Sequence, residues 1–327
     1  MRVAVLGLGS MGLKHAENAR AQGCTVMGFD PNPTGLAKLR SLGGIGMDSA
    51  EAAIQQSESV VIASPPALHL DHIAAALAAG RPTLVEKPLS DRVGDLVTLL
   101  REAERRGTIV AVAQNLRFHP AVNAAKAMLA DGAIGQPVAA AAIGVSHLPD
   151  WRPSQDYRVN YAADPKSGGA IFDWIHEIDL MAYLFGPFEG IAAAAGRSGV
   201  LEMTAEDTAT MALRHHGGVA STVMVSYVGG SAKRTTDIFG TNGRLEIDIP
   251  ARRLRVWSRD GREIVQDFGG QHGDDYGAEL SDFLLAAAGK VRPRCTALEA
   301  LGILQQVLRL RALAGLPAAE SSSESRE

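Results

Sequence analysis

Over the first third of the chain, short runs that are apolar throughout alternate with stretches of helical character. Residues 3–6, Thr25 to Phe29, Ser59 to Ala63, 82–86 and Thr108 to Ala113 are the apolar runs. Between them lie a helical stretch ending near Gln22, an Ala-rich one near 49–56, another over about 67–79, and one from Asp91 to about Arg106. Fully apolar strands separated by helices predict a parallel, doubly wound sheet covered on both faces. At Gln114-Asn115-Leu116-Arg117-Phe118-His119-Pro120 the pattern changes. A helix over about 121–131 and a strand from Val138 to Val145 lead into residues 146–167, which show little periodicity. Ile171, Ile175, Ile178 and Ala182 then recur at the spacing of a buried stripe, which predicts a helix over 169–185. Short β-rich runs follow: Thr208 to Leu213, Val219 to Val228, Thr235 to Phe239, Leu245 to Ile249 and Leu254 to Trp257. Turn signals at His216-Gly217-Gly218, Asn242-Gly243 and Asp260-Gly261 separate them, and the whole predicts an antiparallel meander. Helices over about 274–288 and 296–314 close the pattern, and the Ser/Glu-rich residues 318–327 have the composition of a disordered tail.

The expected architecture is therefore α/β in two domains, residues 1–118 and 119–317, followed by the tail. Length agrees, since 327 residues exceed one typical core. A formal charge of −4 gives no basic field, which argues against nucleic acid as a partner. Cys24 and Cys295 are far apart and form no C-x-x-C pair, which fits a reducing compartment and argues against a cysteine-based metal site. The first residues run directly into a strand, and no apolar run is long enough to cross a bilayer. A cytoplasmic protein without membrane attachment is the expectation.

The chemistry begins at Gly7-Leu8-Gly9-Ser10-Met11-Gly12, between the first strand and the first helix. Gly7 suits a tight turn, Gly9 lets the backbone approach a pyrophosphate, and Gly12 allows close helix–strand packing. The helix start offers unpaired N–H groups to the phosphates. Asp30 ends the second strand, where a carboxylate accepts from ribose hydroxyls and repels a 2′-phosphate, so NAD is expected over NADP. The strand ending in Glu86-Lys87-Pro88 sets a cation at the carboxyl edge of the sheet. His69, in the first turn after Pro65-Pro66, fits a capping or surface histidine and a cofactor contact equally well. Trp151, Arg152, Tyr157 and Arg158 lie on the long aperiodic segment. Together they suggest a lid or pocket wall for a polar, anionic ligand, or else an oligomer contact. Asp173, His176 and Asp179 are successive i+3 neighbours, an arrangement in which a carboxylate orients an acid–base histidine. On that helix alone a structural histidine is the plainer reading.

Taken together, Gly7-x-Gly9-x-x-Gly12, Glu86-Lys87-Pro88 and the Gly169…Asp173…His176-Glu177-Ile178-Asp179 helix resemble the Gfo/Idh/MocA oxidoreductase family over all but the tail. The resemblance implies an N-terminal Rossmann domain and a C-terminal α/β domain whose open, mostly antiparallel sheet serves oligomer contacts, in a dimer or tetramer. It implies pyridine-nucleotide-dependent chemistry at a carbinol carbon of a sugar, cyclitol, sugar acid or nucleotide sugar. Lys87 would hydrogen-bond the reacting oxygen, His176 would be the general acid–base, and Asp173 would partner the substrate or the histidine. In many members the aspartate stands four residues before the histidine. Here that position is Phe172 and the carboxylate is one residue later, so Asp173 carries a less direct assignment. Asn115 to Pro120, Trp151-Arg152-Pro153 and Asp156-Tyr157-Arg158 are similar to a branch acting on bacterial surface sugars. The implied cofactor set is Gly7, Gly9, Ser10, Met11, Gly12, Asp30, Ser64, Pro65, His69, Glu86, Lys87 and Asn115. The implied substrate set is Lys87, Arg117, Trp151, Arg152, Tyr157, Arg158, Asp173 and His176, with no metal. An enzyme that keeps its NAD while eliminating or hydrolysing, and a non-catalytic sensor of NAD or sugar, are the other readings. Retention of both Lys87 and His176 speaks against the sensor.

Overall fold

The computed structural model describes residues 1–151, 153, 156–166 and 168–317. Their contacts divide them into two units: Met1–Asn115 with His272–Leu301, and Leu116–Gln271 with the residues from Gly302 onward.

In the first unit, β1 (Arg2–Leu6), α1 (Ser10–Ala21), β2 (Thr25–Phe29), α2 (Pro33–Ser41), β3 (Ile45–Gly46), α3 (Ala50–Gln56), β4 (Ser59–Ile62), α4 (His69–Ala78), β5 (Thr83–Val85), α5 (Leu96–Arg106) and β6 (Val110–Val112) follow in turn. The six strands form one sheet in the order β3-β2-β1-β4-β5-β6, and every pairing is parallel. The order reverses between β1 and β4, which makes their carboxyl ends the switch point where such sheets bind ligands. Val3 to Leu6 and Val60 to Ile62 are wholly buried, as strands covered on both faces require. Two stretches differ from the sequence expectation. The chain of 31–46, for which no element was expected, forms α2 and β3; Pro33 opens α2 and the Asn32 side chain accepts from the Thr34 N–H. The last helix of this stretch begins at Leu96 rather than Asp91, because Gly94 turns with φ +26° and Leu96 N–H is held by the Val93 carbonyl.

In the second unit, α6 (Pro120–Ala130), β7 (Pro137–Val145), α7 (Leu148–Trp151), α8 (Ala170–Asp173) and α9 (Ile175–Phe185) precede seven strands. These are β8 (Phe188–Gly196), β9 (Thr208–His215), β10 (Ala220–Ser226), β11 (Lys233–Gly240), β12 (Gly243–Asp248), β13 (Arg253–Ser258) and β14 (Glu263–Asp267). They join β7 in an eight-stranded sheet ordered β14-β13-β12-β11-β7-β10-β9-β8, in which β7–β10 is the parallel pairing and the rest are antiparallel. The sheet is the mostly antiparallel one expected. β8 is Ala-rich, so it carried no strand signal of its own. The expected helix over 169–185 is interrupted at Trp174, whose φ −88°, ψ +26° ends α8 and starts α9.

α10 (His272–Ala287) belongs to the first unit. Its Leu280 and Phe283 join the buried cluster of Val3, Val5, Ala16 and Ala19, and Gln22 Nε2 donates to the Gly277 carbonyl at 2.9 Å. The first unit is thus assembled from two separated stretches of chain and extends beyond the expected residues 1–118. The division falls within α11 (Ala297–Leu313), after Leu301.

Candidate active site

At the switch point of the first unit, Gly7 adopts φ +86°, and a side chain there would meet the Ala63 carbonyl and Ser64 nitrogen at 2.6 Å. A Cβ on Gly12 would stand 1.8 Å from the Gly7 carbonyl oxygen. Both glycines are therefore required by the protein itself. Gly9 is different: its φ is −71°, open to any residue, and nothing lies within 4 Å of where a Cβ would be. Space is kept open over Gly9, beside the N-terminus of α1, where Ser10, Met11 and Gly12 carry helix-start N–H groups. No side chain caps that end and no acid sits in its first turn. Such an end favours an anion. Replacing Gly9 by valine is expected to leave the unfolding midpoint near wild type. It should weaken NADH binding by about 1–3 kcal/mol, roughly 5- to 150-fold in Kd by fluorescence titration, because the added volume fills the ligand's space. Binding at wild-type strength would remove this loop from the cofactor site.

Asp30 closes the same loop. Its carboxylate accepts from the Leu8 N–H at 2.6 Å and the Asn32 N–H at 2.7 Å. A carboxylate has about four acceptor sites, so lone pairs remain for ribose hydroxyls. Asn115, just past β6, is 1% exposed, and neither atom of its amide has a hydrogen-bond partner among the described residues. A buried, unsatisfied amide is costly, and a ligand carrying both a donor and an acceptor, as a carboxamide does, would satisfy it. The open space at Gly9, the uncapped helix and the orphaned amide all fit a bound dinucleotide.

At the end of β5, Glu86 is buried and Lys87 partly exposed. Glu86 Oε1 lies 2.7 Å from Nε2 of His15, a fully buried residue one turn past Gly12 on α1. Burial pushes the Glu86 carboxyl up, but the hydrogen bond and charge of His15, with the Lys87 charge, outweigh it and hold it below the ordinary value. Glu86 therefore ties the helix of the glycine turn to the strand that carries Lys87; its carboxylate is spent on His15 more than offered to a ligand. Sequence reasoning missed His15; its available signal was a polar residue on the buried face of α1, beside Ala16 and Ala19. His69 is also fully buried, with its two ring nitrogens at main-chain carbonyls. It is not a surface histidine, which corrects that reading. Ser64, 8% exposed, has its Oγ 3.0 Å from His72 Nδ1, and Pro65 leads into the turn before α4.

In the second unit Asp173 ends α8, and His176, partly exposed, lies in the first turn of α9. The break at Trp174 sets them on two short helices rather than on one face. Asp173 is held by two phenols: Tyr161 donates to Oδ1 at 2.6 Å, and Tyr227 lies 3.1 Å from Oδ2 and 3.0 Å from the Gly169 carbonyl. Burial first, then the Asp173 charge, push the Tyr227 hydroxyl well above its ordinary value, so it stays a donor at every working pH. The Trp151 ring packs edge-on against Trp174 and Tyr227, at 5.5 and 5.6 Å between centroids, and its N–H donates to Ser146 Oγ at 2.6 Å. Trp151 thus sits beside the Asp173 cluster with 40% of its surface exposed. Tyr227 is the residue that sequence reasoning missed here, since its strand-end position gave no sign of a partner more than fifty residues earlier.

Two of the arginines in the expected substrate set are paired with carboxylates. Arg117 is 4% exposed and paired with Asp179 through Nε at 2.9 Å and Nη2 at 2.7 Å. This also takes Asp179 away from His176 as an orienting carboxylate. Arg158 is held by Asp156 and Glu202, whose hydrogen bonds raise its already high pKa further. The Tyr157 hydroxyl accepts from the Glu202 N–H at 3.0 Å. Tyr157 and Arg158 thus knit the segment to residues near 202. Arg152 lies outside the described residues, as does the expected disordered tail.

Comparison with known proteins places these features in a family. Residues 1–114 match the model of the oxidoreductase family with an NAD-binding Rossmann fold, and residues 122–246 match that of the GFO/IDH/MocA C-terminal domain. D-apiose dehydrogenase of Paraburkholderia graminis is 29% identical over 219 residues, which are 65% of this chain and 56% of that protein, so this match spans only about half its length. UDP-N-acetylglucosamine 3-dehydrogenase of Acidithiobacillus ferrooxidans is 26% identical over 323 residues, 95% of this chain and 96% of its own. A structure of levoglucosan dehydrogenase in complex with NADH and levoglucosan superposes with a TM-score of 0.86 at 20% identity, covering 96% of this chain and 97% of the other.

Proposed function

Because the chain belongs to the GFO/IDH/MocA oxidoreductase family, we propose that it is an NAD-dependent dehydrogenase or reductase acting on a carbinol carbon of a sugar, cyclitol, sugar acid or nucleotide sugar. The observation that carries this reading is the first sheet's carboxyl edge. It holds an open phosphate turn at Gly9, a carboxylate at Asp30 and a lysine at the end of β5, all on the edge where such sheets bind ligands. Gly7 to Gly12 would hold the pyrophosphate, Asp30 the adenosine ribose, and Ser64, Pro65 and Asn115 the remainder. Bound there, the nicotinamide supplies the hydride acceptor or donor. Lys87 stabilises the negative charge that develops on the carbinol oxygen. His176 takes the hydroxyl proton in oxidation and returns it in reduction, a role open to imidazole as a side chain that can both accept and donate a proton. Asp173, fixed by Tyr161 and Tyr227, presents a rigid charge to substrate or imidazole.

With Arg117 and Arg158 matched by carboxylates, an anionic substrate loses two of the three arginines in the expected substrate set. Uncharged polyols therefore stand level with sugar acids. We also propose a homo-oligomer, dimer or tetramer, in which a second copy covers the less buried face of the eight-stranded sheet. Ile143 and Met224 are paired across β7 and β10, Phe239 of β11 stands opposite Ala139 on the same face, and Met224 and Phe239 are exposed. A cytoplasmic setting is supported by the free thiols Cys24 and Cys295. Among the described residues, no helix is long and apolar enough to cross a membrane.

The deciding assay offers NAD or NADH with neutral sugars, cyclitols, sugar acids and nucleotide sugars, reading reduced-nicotinamide absorbance and product mass together. The expected result is a net change in NADH with at least one carbinol substrate, lost by about a hundredfold or more in Lys87→Met. Altered product without net NADH change would replace a dehydrogenase by a redox-assisted lyase or hydrolase.

A further inference from the structure

His69 opens α4 and is wholly enclosed, yet its ring is not simply packed. Nε2 lies 2.8 Å from the carbonyl oxygen of Ser64, in the loop after β4, and Nδ1 lies 3.1 Å from that of Pro88, directly after Lys87. The two carbonyls belong to neighbouring loops at the carboxyl edge of the sheet, since β4 and β5 pair. One turn further along α4, His72 Nδ1 stands 3.0 Å from Ser64 Oγ, so the Ser64 loop is gripped twice by the same helix. We propose that His69 is a positioning residue for Lys87, tying the Lys87–Pro88 turn to the Ser64 loop and thereby fixing where the lysine stands. This rests on the reading of Lys87 as the group that meets the reacting oxygen.

The chemistry of the contacts supports the assignment. A hydrogen bond to a carbonyl oxygen fixes main chain, which has no rotamer with which to relax. Imidazole spans the two loops with a ring nitrogen on opposite edges of a rigid plane. Both carbonyls are acceptors, so the ring donates to one of them when neutral and to both when protonated; burial lowers its pKa against the opposing pull of the Ser64 carbonyl, the Glu86 charge and the Pro88 and Leu89 carbonyls. Glu86 is the charged group facing it from β5, and His72 the titratable one on its own helix. Leucine would keep most of the volume and lose both contacts; glutamine would keep a donor for one carbonyl.

The full chain would be made as wild type, His69→Leu and His69→Gln. Three quantities would be measured: NADH affinity, kcat and KM on the best substrate, and the rate at which Lys87 is acetylated relative to the exposed Lys290, by peptide mass spectrometry. In His69→Leu, kcat is expected to fall about 10- to 100-fold with KM nearly unchanged, the signature of a displaced reacting group. His69→Gln should recover part of that loss, and the Lys87-to-Lys290 labelling ratio should change in the same order. Folded variants with wild-type kcat and labelling ratio would reduce His69 to packing and overturn the proposal. Should wild type turn over no substrate, the dehydrogenase reading fails while the labelling ratio still decides on His69. Should neither variant fold, histidine-labelled wild type provides the test by NMR. A ring N–H protected from exchange and close to Ser64 or Pro88 supports the tether, and a freely exchanging ring overturns it.

Discussion

His176→Asn is expected to lower kcat by about 10²–10⁴-fold, the usual contribution of a positioned general acid–base. Asparagine retains a polar side chain of similar reach but does not titrate, so it isolates proton transfer from packing. His176 is partly exposed at the first turn of α9, where a small substitution leaves the buried stripe of Ile171, Ile175 and Ile178 untouched. The pH profile is the sharper readout. In oxidation the neutral ring is the active form, so kcat/KM should rise with pH through the imidazole range; in reduction the protonated ring is active and the trend should reverse. Both limbs should disappear in the variant while NADH affinity holds. A variant that keeps its rate and its pH limb would pass the proton to Lys87 instead.

The second large effect is on stability. Arg117→Met is expected to destabilise the protein by about 3–5 kcal/mol, the cost of leaving one member of a buried ion pair unmatched. Asp179 is 0% exposed and would retain its charge beside an apolar side chain, or take up a proton. The double variant Arg117→Met with Asp179→Leu should regain most of the loss, because no orphaned charge remains. Urea unfolding of the four proteins would measure this. If Arg117 instead clamped a substrate anion, the single variant would raise KM and leave the unfolding midpoint in place.

Particular residues show which parts of this were legible in the sequence. The strands of the first sheet announce themselves because burial on both faces demands uninterrupted apolar runs. Gly7 and Gly12 stand at fixed offsets because contacts of 2.6 and 1.8 Å leave no room for a side chain. α2 was also legible through Asn32 and Pro33, a cap and first-turn pair that the apolar pattern overshadowed. The fates of Arg117, Arg158 and Glu86 were not legible. Asp179 and His15, the partners of Arg117 and Glu86, lie 62 and 71 residues away, and Glu202 lies 44 from Arg158, whose other partner Asp156 is its near neighbour; a side chain's charge says nothing about which distant group will neutralise it. The interruption at Trp174 was hidden for a similar reason: the i, i+4, i+7 stripe continues through it, so apolar spacing alone cannot distinguish one helix from two. α10 announced an apolar face but not the surface it would cover.

The passage of the chain out of the first unit at Asn115 and back at His272 has a consequence during synthesis. A ribosome adding about 5–20 residues per second takes roughly ten to thirty seconds to make residues 116–271. During that interval the strands of the first sheet have been made, but Leu280 and Phe283, which complete its buried cluster, do not yet exist. The half-finished unit therefore waits with an apolar face open to the solvent, and that is the moment at which a chaperone would find it.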